Sequence, residues 1–197
     1  MREELRTNRA SFLLSIGFSG ALDPTLRTGD IVVSERILAD GHNPVDLDAT
    51  FAQATLRALS NGGVRVHDGP TITVREPVLT ASGKADLHER TGAAAVDMET
   101  YWIATEATNA DVPMVSARTI IDEAHQNLPR FAAAIMSDGG RHELQHALKA
   151  LRNPANIKPM ISMAIKAKRA RSATKPVLDM WFPTRYVDDV GRIGSPR

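Results

Sequence analysis

The stretch AAAVDMETYWIATEATNADVPMVSARTIIDEA, residues 93–124, contains two short apolar runs on either side of a helical pattern. Ala93–Asp97 and Pro113–Ile121 have the length and composition of buried strands, whereas Glu99–Asn109 has helical spacing. A strand, a helix and a second strand in this order indicate an α/β fold, in which helices cover a sheet.

The rest of the chain continues this alternation. Further strand-like runs are FLLSIGF (Phe12–Phe18), which we expect to end at a glycine turn, DIVVSERI (Asp30–Ile37) and TITVREPVL (Thr71–Leu79). Further helical patterns cover Asp46–Leu59, Lys84–Thr91 and Ile157–Thr174. We predict a single α/β domain over residues 1–175, with a mixed twisted β-sheet flanked by helices, and an irregular tail over residues 176–197.

Composition excludes several classes of protein. The chain has 197 residues and a formal net charge of +1, so its overall charge gives no reason to expect a nucleic-acid partner. It has no cysteine, which rules out disulfides and thiolate chemistry and favours a cytoplasmic location. The segment Lys158–Lys175 is basic without any acidic residue. It is either a solvated helix end or a peripheral contact with an anionic membrane.

The sequence HELQH, His142–His146, matches a zinc-binding helix motif. On a helix the two histidines would share one face, with Glu143 beside them as a general base. A catalytic zinc also needs a third protein ligand, and the only acidic side chains after His146 are Asp179, Asp188 and Asp189. We therefore predict a solvated helix face and no bound metal.

The sequence GFSGA, residues 17–21, matches the nucleophile elbow of serine hydrolases. Ser19 would be the nucleophile, followed in chain order by Asp122 and either His142 or His146. The elbow requires a helix directly after the serine, whereas a turn around Asp23 is predicted here. A serine hydrolase therefore stays a minor alternative.

Two separated stretches resemble signatures of one enzyme family. Residues 13–35, LLSIGFSGALDPTLRTGDIVVSE, resemble the G-x-x-G-x-L and G-D-[IV]-V signature of the nucleoside phosphorylase and nucleosidase superfamily. Residues 93–124 resemble its second signature, in which a small apolar strand, [DE]-M-E and a helix precede V-P-x-x-x-x-R-x-I-x-D-x-A. TGAAAVDME, Leu128-Pro129 and residues 151–173 are similar to the hopanoid-associated branch.

The resemblance implies cleavage of a purine N-glycosidic bond, with adenosylhopane as the substrate and adenine as a product. It implies no cofactor, although inorganic phosphate is a candidate co-substrate. The main alternative is a soluble nucleosidase of the methylthioadenosine/adenosylhomocysteine type. A second alternative is an inactive relative that keeps the fold.

The resemblance also assigns roles to single residues. Asp122 matches the aspartate that hydrogen-bonds or protonates N7 of the purine, and its structural alternative is a helix cap. Glu99 matches the glutamate that accepts hydrogen bonds from the ribose hydroxyls, and a carboxylate suits two adjacent hydroxyls because it accepts without donating. The structural alternative for Glu99 is an acid that favours the start of a helix. Met98 would pack on the sugar, or simply in the core.

The turn residues belong to the same predicted site. Gly17 and Gly20 would let the backbone approach the sugar or the nucleophile closely. Phe18 and Ser19 lie between them, on the nucleophile side.

The chain also departs from the family pattern. Ser15 and Phe18 stand where phosphorylases usually carry a phosphate-binding arginine and a serine or threonine, so phosphate and water both stay open as the nucleophile. Ile121 stands where a serine often precedes the aspartate. Only eleven residues precede Phe12, whereas the family has further strands there, so we expect an N-terminally incomplete sheet and little activity. Its unpaired edges would favour a homo-oligomer.

Overall fold

Four strands precede the first helix, and strands and helices are interspersed along the rest of the described chain. The computed structural model describes residues 11–129, 131–132, 153 and 156–181. The elements within them are, in order, β1 (Leu13–Ala21), β2 (Ile31–Ser34), β3 (Arg36–Ala39), β4 (Val45–Asp46), α1 (Ala49–Asn61), β5 (Val66–Asp68), β6 (Thr71–Thr73), α2 (Ala81–Thr91), β7 (Ala95–Asp97), α3 (Thr100–Asn109), β8 (Met114–Asp122) and α4 (Ile157–Trp181).

The centre of the sheet is the pair formed by β1 and β8. The two strands run parallel from Leu13 opposite Met114 to Gly20 opposite Asp122, and their register shifts by one residue between Ser19 and Gly20. β8 is buried along almost its whole length, which is typical of a strand covered on both faces. Because the two strands are parallel, their carboxyl ends meet at the same edge of the sheet.

The other strands extend the sheet on both sides of this pair. The order of the strands in the described residues is β4-β3-β6-β7-β1-β8-β2-β5. β1 pairs antiparallel with β7, and β2 pairs antiparallel with β8 and parallel with β5. β6 pairs parallel with both β3 and β7. The prediction of a single α/β domain with a mixed sheet flanked by helices is confirmed.

The sheet curls because one predicted strand is in fact two. The run Asp30–Ile37 is divided at Glu35 into β2 and β3. β2 pairs with β8, whereas β3 pairs with β6 on the other side of the central pair. The hydroxyl groups of Ser34 in β2 and Thr71 in β6 are hydrogen-bonded at 2.7 Å. The break at Glu35 therefore carries the chain from one side of the sheet to the other and draws the two sides together.

Two other strand boundaries differ from the prediction. β1 does not end at Phe18 but continues to Ala21, because its last two residues pair with β7. The run predicted over Thr71–Leu79 is a strand only as far as Thr73. Pro77 has no N–H to contribute to a ladder, which is consistent with an early end of this strand.

Three predicted helices are present with small shifts. α1 begins after Asp48, whose carboxylate accepts a hydrogen bond from the backbone N–H of residue 51. α2 begins after Thr80, three residues before the predicted start at Lys84, and ends at Gly92 in the left-handed conformation (φ 67°). α3 matches its predicted range closely. None of the helices in the described part of the chain is both long enough and apolar enough to cross a membrane.

α4 corrects the prediction for the tail. The helix predicted over Ile157–Thr174 continues to Trp181, so the predicted boundary at residue 175 falls inside it. Pro176 lies within this helix, where proline is normally unfavourable. Buried Val177 and the ring of Trp181, with its centroid 4.7 Å from that of Phe12, offset this cost by packing on the sheet. Residues 182–197 of the predicted tail lie outside the described residues.

We expect Val177→Ala to lower the free energy of unfolding by about 1.5 to 3 kcal/mol, because it removes apolar volume from a fully buried position. The matched control is Leu178→Ala, whose side chain is exposed and whose effect should stay within about 0.5 kcal/mol. Urea denaturation followed by tryptophan fluorescence measures both. Equal effects at the two positions would contradict the packing of the end of α4.

Candidate active site

A cavity of about 550 Å³ opens beside the central strands. Its walls are the second half of β1, the residues that follow β7, the end of β8 and one face of α4. The residues singled out from the sequence all line it: Gly17, Phe18, Ser19, Gly20, Met98, Glu99 and Asp122. The fold thus brings the two separated signatures together in one place.

Asp122 is the last residue of β8 and is almost completely buried. Its carboxylate accepts a hydrogen bond from the ammonium group of Lys84, and the two form a buried ion pair. Burial raises the pKa of Asp122 above its ordinary value and outweighs the lowering by the positive charges of Lys84 and Lys166. The residues after Asp122 form a turn in which Gln126 N donates to the backbone oxygen of Glu123. The interpretation of Asp122 as a helix cap is therefore wrong.

Lys84 is a member of this site that the sequence did not predict. Its side chain is fully buried, and its Nζ also donates to the backbone oxygens of Glu123, at 2.9 Å, and Gln126, at 3.2 Å. Three acceptors match the three donors of an ammonium group, which allows a lysine to be buried here. Its burial could have been predicted from its spacing, because Lys84 precedes the buried Leu87 by three residues and so lies on the same face of α2.

Asp97 and Glu99 have different tasks at the start of α3. The carboxylate of Asp97 accepts hydrogen bonds from the backbone N–H groups of Glu99 and Thr100 at 3.3 Å, which a helix start otherwise leaves unpaired. Glu99 occupies the cap position but makes no side-chain capping hydrogen bond. The structural role that the sequence offered for Glu99 is therefore performed by Asp97, while Glu99 is exposed and lines the cavity.

Arg118 in β8 places a buried guanidinium on the cavity wall. It donates hydrogen bonds to Asp97 at 2.9 Å, to Thr100 Oγ1 at 2.7 Å and to Ser15 Oγ at 2.6 Å. Burial lowers the pKa of Arg118, while the negative charge of Asp97 acts in the opposite direction. Ser15 stands where the family resemblance led us to expect an arginine. The positive group at this point of the sheet comes from the neighbouring strand instead.

Gly17 and Gly20 make room for two buried charged groups. A Cβ atom at Gly17 would collide with the guanidinium of Arg118. A Cβ atom at Gly20 would lie 3.1 Å from Oδ2 of Asp122, which is closer than an ordinary van der Waals contact. Glycine is therefore required at both positions by the chain itself, because charged side chains of β8 lie against the backbone of β1.

Met98, Phe18 and Ser19 complete the predicted lining. Met98 is half-buried and the ring of Phe18 is exposed. The hydroxyl group of Ser19 is buried and has no hydrogen-bond partner among the described residues. Ser19 lies within β1, held by strand pairing, and not on a turn from a strand into a helix. The nucleophile elbow, and with it the serine hydrolase alternative, is therefore wrong.

The HELQH motif lies outside the described residues. Across residues 11–129 and 156–181 and the three single positions described between them, no three His, Asp or Glu side chains are grouped so that they could hold a metal ion.

Positive charge at the cavity comes from Arg118 and from Lys166, whose Nζ donates to Gln126 Oε1 at 2.5 Å.

The curled mixed sheet and the charged cavity beside its central strands are those of an α/β enzyme with a small-molecule site. The chain belongs to the phosphorylase superfamily, because the model of that family matches residues 5–153. It is therefore an enzyme of the nucleoside phosphorylase and nucleosidase class.

Three solved structures illustrate the likeness. The 5′-methylthioadenosine/S-adenosylhomocysteine nucleosidase of Campylobacter jejuni is 20% identical, with a TM-score of 0.59 over 75% of this chain and 72% of that one. The Neisseria meningitidis nucleosidase, solved with methylthio-immucillin-A, is 21% identical, with a TM-score of 0.59 over 84% and 74%. Futalosine hydrolase of Helicobacter pylori is 16% identical, with a TM-score of 0.59 over 84% and 72%. At these identities the likeness establishes the fold. Among curated proteins no significant match was found.

Proposed function

We propose that this enzyme hydrolyses the N-glycosidic bond of an adenine nucleoside that carries a large apolar group, and that this substrate is adenosylhopane. The observation that carries the proposal is the make-up of the cavity. It joins the buried carboxyl group of Asp122 and the exposed carboxylate of Glu99 to an extended apolar wall. The similarity to the hopanoid-associated branch and the fold neighbours named for methylthioadenosine support an adenine nucleoside.

Asp122 is suited to act as the acid at the purine. Cleavage of the glycosidic bond passes through an oxocarbenium-like sugar while negative charge develops on the leaving base. A carboxyl group whose pKa is raised by burial keeps its proton to a higher pH than an ordinary aspartate, and can deliver it to N7. Glu99 accepts hydrogen bonds from the ribose hydroxyls, which holds the sugar as positive charge develops on it.

Water is the nucleophile that the charges favour. Among the described residues that line the cavity, three carboxyl groups (Asp97, Glu99 and Asp122) accompany two cations (Arg118 and Lys166). The guanidinium of Arg118 is already paired with Asp97. A phosphate dianion would therefore enter a cavity without a surplus of positive charge, whereas a neutral water molecule meets no such cost.

The apolar wall points to a substrate larger than a simple nucleoside. It is formed by Val74, Pro77, Val78, Leu128, Met160 and Met163. A cavity of about 550 Å³ lined by a few polar groups and many apolar ones suits a ligand that is polar at one end only. The second candidate, a nucleosidase for small soluble substrates, is favoured by the names of the fold neighbours and would not need this wall.

The outer face of α4 suits contact with a lipid surface. Ile157, Ile161 and Ile165 follow one another at four-residue spacing and are 42%, 56% and 64% exposed. Lys158 and Lys168 flank this isoleucine stripe and are exposed as well. Other residues of the same helix line the cavity. We infer that the stripe rests on an anionic membrane, with the lysines at the head groups, and that a lipid-linked substrate enters beside it.

Release of adenine from adenosine and from adenosylhopane, measured with and without phosphate, tests the reaction. We expect release that is independent of phosphate, and Asp122→Asn should reduce turnover by at least about 100-fold because it removes the acid. Asp86→Asn, an exposed aspartate of α2, is the matched control and should behave as the wild type. Strict dependence on phosphate would disprove hydrolysis. Absence of adenine release from every nucleoside would point to the inactive alternative.

A series of adenosines with 5′-alkyl chains tests the substrate class. We expect kcat/KM to rise with chain length, because each methylene group buried against the apolar wall contributes up to about 0.8 kcal/mol. Met163→Gln should reduce this dependence and leave adenosine itself unaffected. Ser162→Gln, on the exposed neighbour, is the control. A flat profile across the series would favour the soluble nucleosidase.

Flotation with vesicles tests the membrane contact. We expect the wild type to bind vesicles of phosphatidylcholine and phosphatidylglycerol but not phosphatidylcholine alone, and to be released by high salt. Ile161→Glu should abolish binding, because it places a negative charge within the isoleucine stripe. Ser172→Glu, which adds the same charge at an exposed position further along α4, should bind much better than Ile161→Glu. If Ile161→Glu instead dissociates a dimer and leaves vesicle binding unchanged, the stripe contacts a second copy of the chain.

A further inference from the structure

Lys84 and Asp122 form an ion pair directly behind the wall of the cavity. Asp122 lines the cavity, whereas Lys84 is 0% exposed and lies behind it. The positive charge of Lys84 therefore acts on a ligand through Asp122.

Two segments of the chain hold Lys84 in this position. It lies in the first turns of α2, and the backbone oxygens that accept from its Nζ belong to the turn after β8. The same two segments are joined twice more. Ala81 N donates to Asn127 Oδ1 at 2.7 Å, and Leu128 N donates to the backbone oxygen of Leu79 at 2.7 Å. The geometry of the ion pair is therefore set by several bonds and does not depend on the contact with Asp122 alone.

A buried ion pair such as Lys84–Asp122 contributes little net stability, because its desolvation offsets the attraction between the charges. Burying two charges requires desolvation, and an apolar pair of similar volume is often at least as stable. Asp122 is also a proposed reacting group, and its charge changes during the reaction. A fixed cation beside a group that becomes negative is the arrangement by which enzymes stabilise transition states.

We propose that Lys84 is a positioning residue for Asp122, which fixes its carboxyl group beside the purine and stabilises the carboxylate that remains once the proton has left. This inference rests on the proposed function of the site. It explains why a lysine, Lys84, lies on the buried face of α2.

Proton transfer from Asp122 accompanies cleavage of the glycosidic bond. The electron pair of the bond between the sugar carbon and the purine nitrogen passes to the base, while the proton of Asp122 moves to N7. The base leaves neutral, and Asp122 returns to the carboxylate form that is paired with the ammonium of Lys84 in the structure. Water adds to the sugar cation and releases a proton to solvent, and Asp122 is then reprotonated from solvent.

Several charged groups surround Asp122, and Lys84 is the one bonded to it. Lys166 reaches it electrostatically from α4, and the neighbouring Glu123 and, earlier in β8, Arg118 are also charged. Burial raises the pKa of Asp122, and Lys84 opposes this rise. Loss of the positive charge of Lys84 would therefore raise the pKa of Asp122 further and make it a weaker acid.

The test compares Lys84→Gln with Arg90→Gln, which changes an exposed cation of the same helix. We expect Lys84→Gln to lower kcat for the nucleoside by about 10- to 100-fold, the scale of one charge-assisted hydrogen bond, with KM changed by less than about threefold. Arg90→Gln should behave as the wild type. Cleavage of p-nitrophenyl riboside should be nearly unaffected, because its leaving group departs as a stable anion without protonation.

The pH profile provides a second readout. Activity of the wild type should fall as the pH rises through the pKa of Asp122, because the protonated form is the acid. In Lys84→Gln this fall should occur at higher pH, so that the variant's deficit is smaller in alkaline solution. Lys84→Arg keeps the positive charge, so its activity should fall at the same pH as that of the wild type. This variant can be measured if Lys84→Gln does not fold.

The outcomes separate this inference from the proposed function. Equal losses on the nucleoside and on p-nitrophenyl riboside, or an unmoved pH profile in a folded Lys84→Gln, would show that Lys84 has only a structural role. If Lys84→Gln does not fold, a displaced fall in Lys84→Arg would overturn the inference. In either case adenine release by the wild type would leave the proposed reaction intact. No release by the wild type would instead disprove the proposed reaction itself.

Discussion

The parallel pairing of β1 with β8 places charged side chains against glycines, and the whole site depends on this contact. Arg118 lies against Gly17, and the carboxylate of Asp122 lies against Gly20. A buried charge requires a partner of opposite sign. Asp97, at the end of β7, is the partner of Arg118, and Lys84 in α2 is the partner of Asp122. The charges on the central strands therefore require that α2 and the end of β7 lie against them.

Much of the fold and part of the site could be predicted from local sequence. Gly17, Glu99 and Asp122 lie in signatures whose order and spacing are visible in the sequence, and each lines the cavity. The partners of the charged residues could not be found in this way. Lys84 meets Asp122, and Arg118 meets Ser15, through contacts between distant segments that leave no trace in local periodicity.

The errors in element boundaries have the same origin. Asp30–Ile37 looks like one strand because its composition is uniform, yet pairing with two different neighbours divides it at Glu35. α4 passes through Pro176, where the sequence alone argues for an end. Contacts of Trp181 with Phe12 and other core residues extend it. In both places tertiary packing overrides local preference.

The curl of the sheet has a consequence for how this protein reaches its native state. β2 and β3 are neighbours in the chain but pair on different sides of the central strands, and Ser15 meets Arg118 across 103 residues of sequence. Contacts of such long range must pay the entropy of closing large loops before they add stability, which slows folding. Helices such as α1 can form early, because their contacts are local. The cavity, whose walls come from both signatures and from α4, takes shape only when the chain closes on itself.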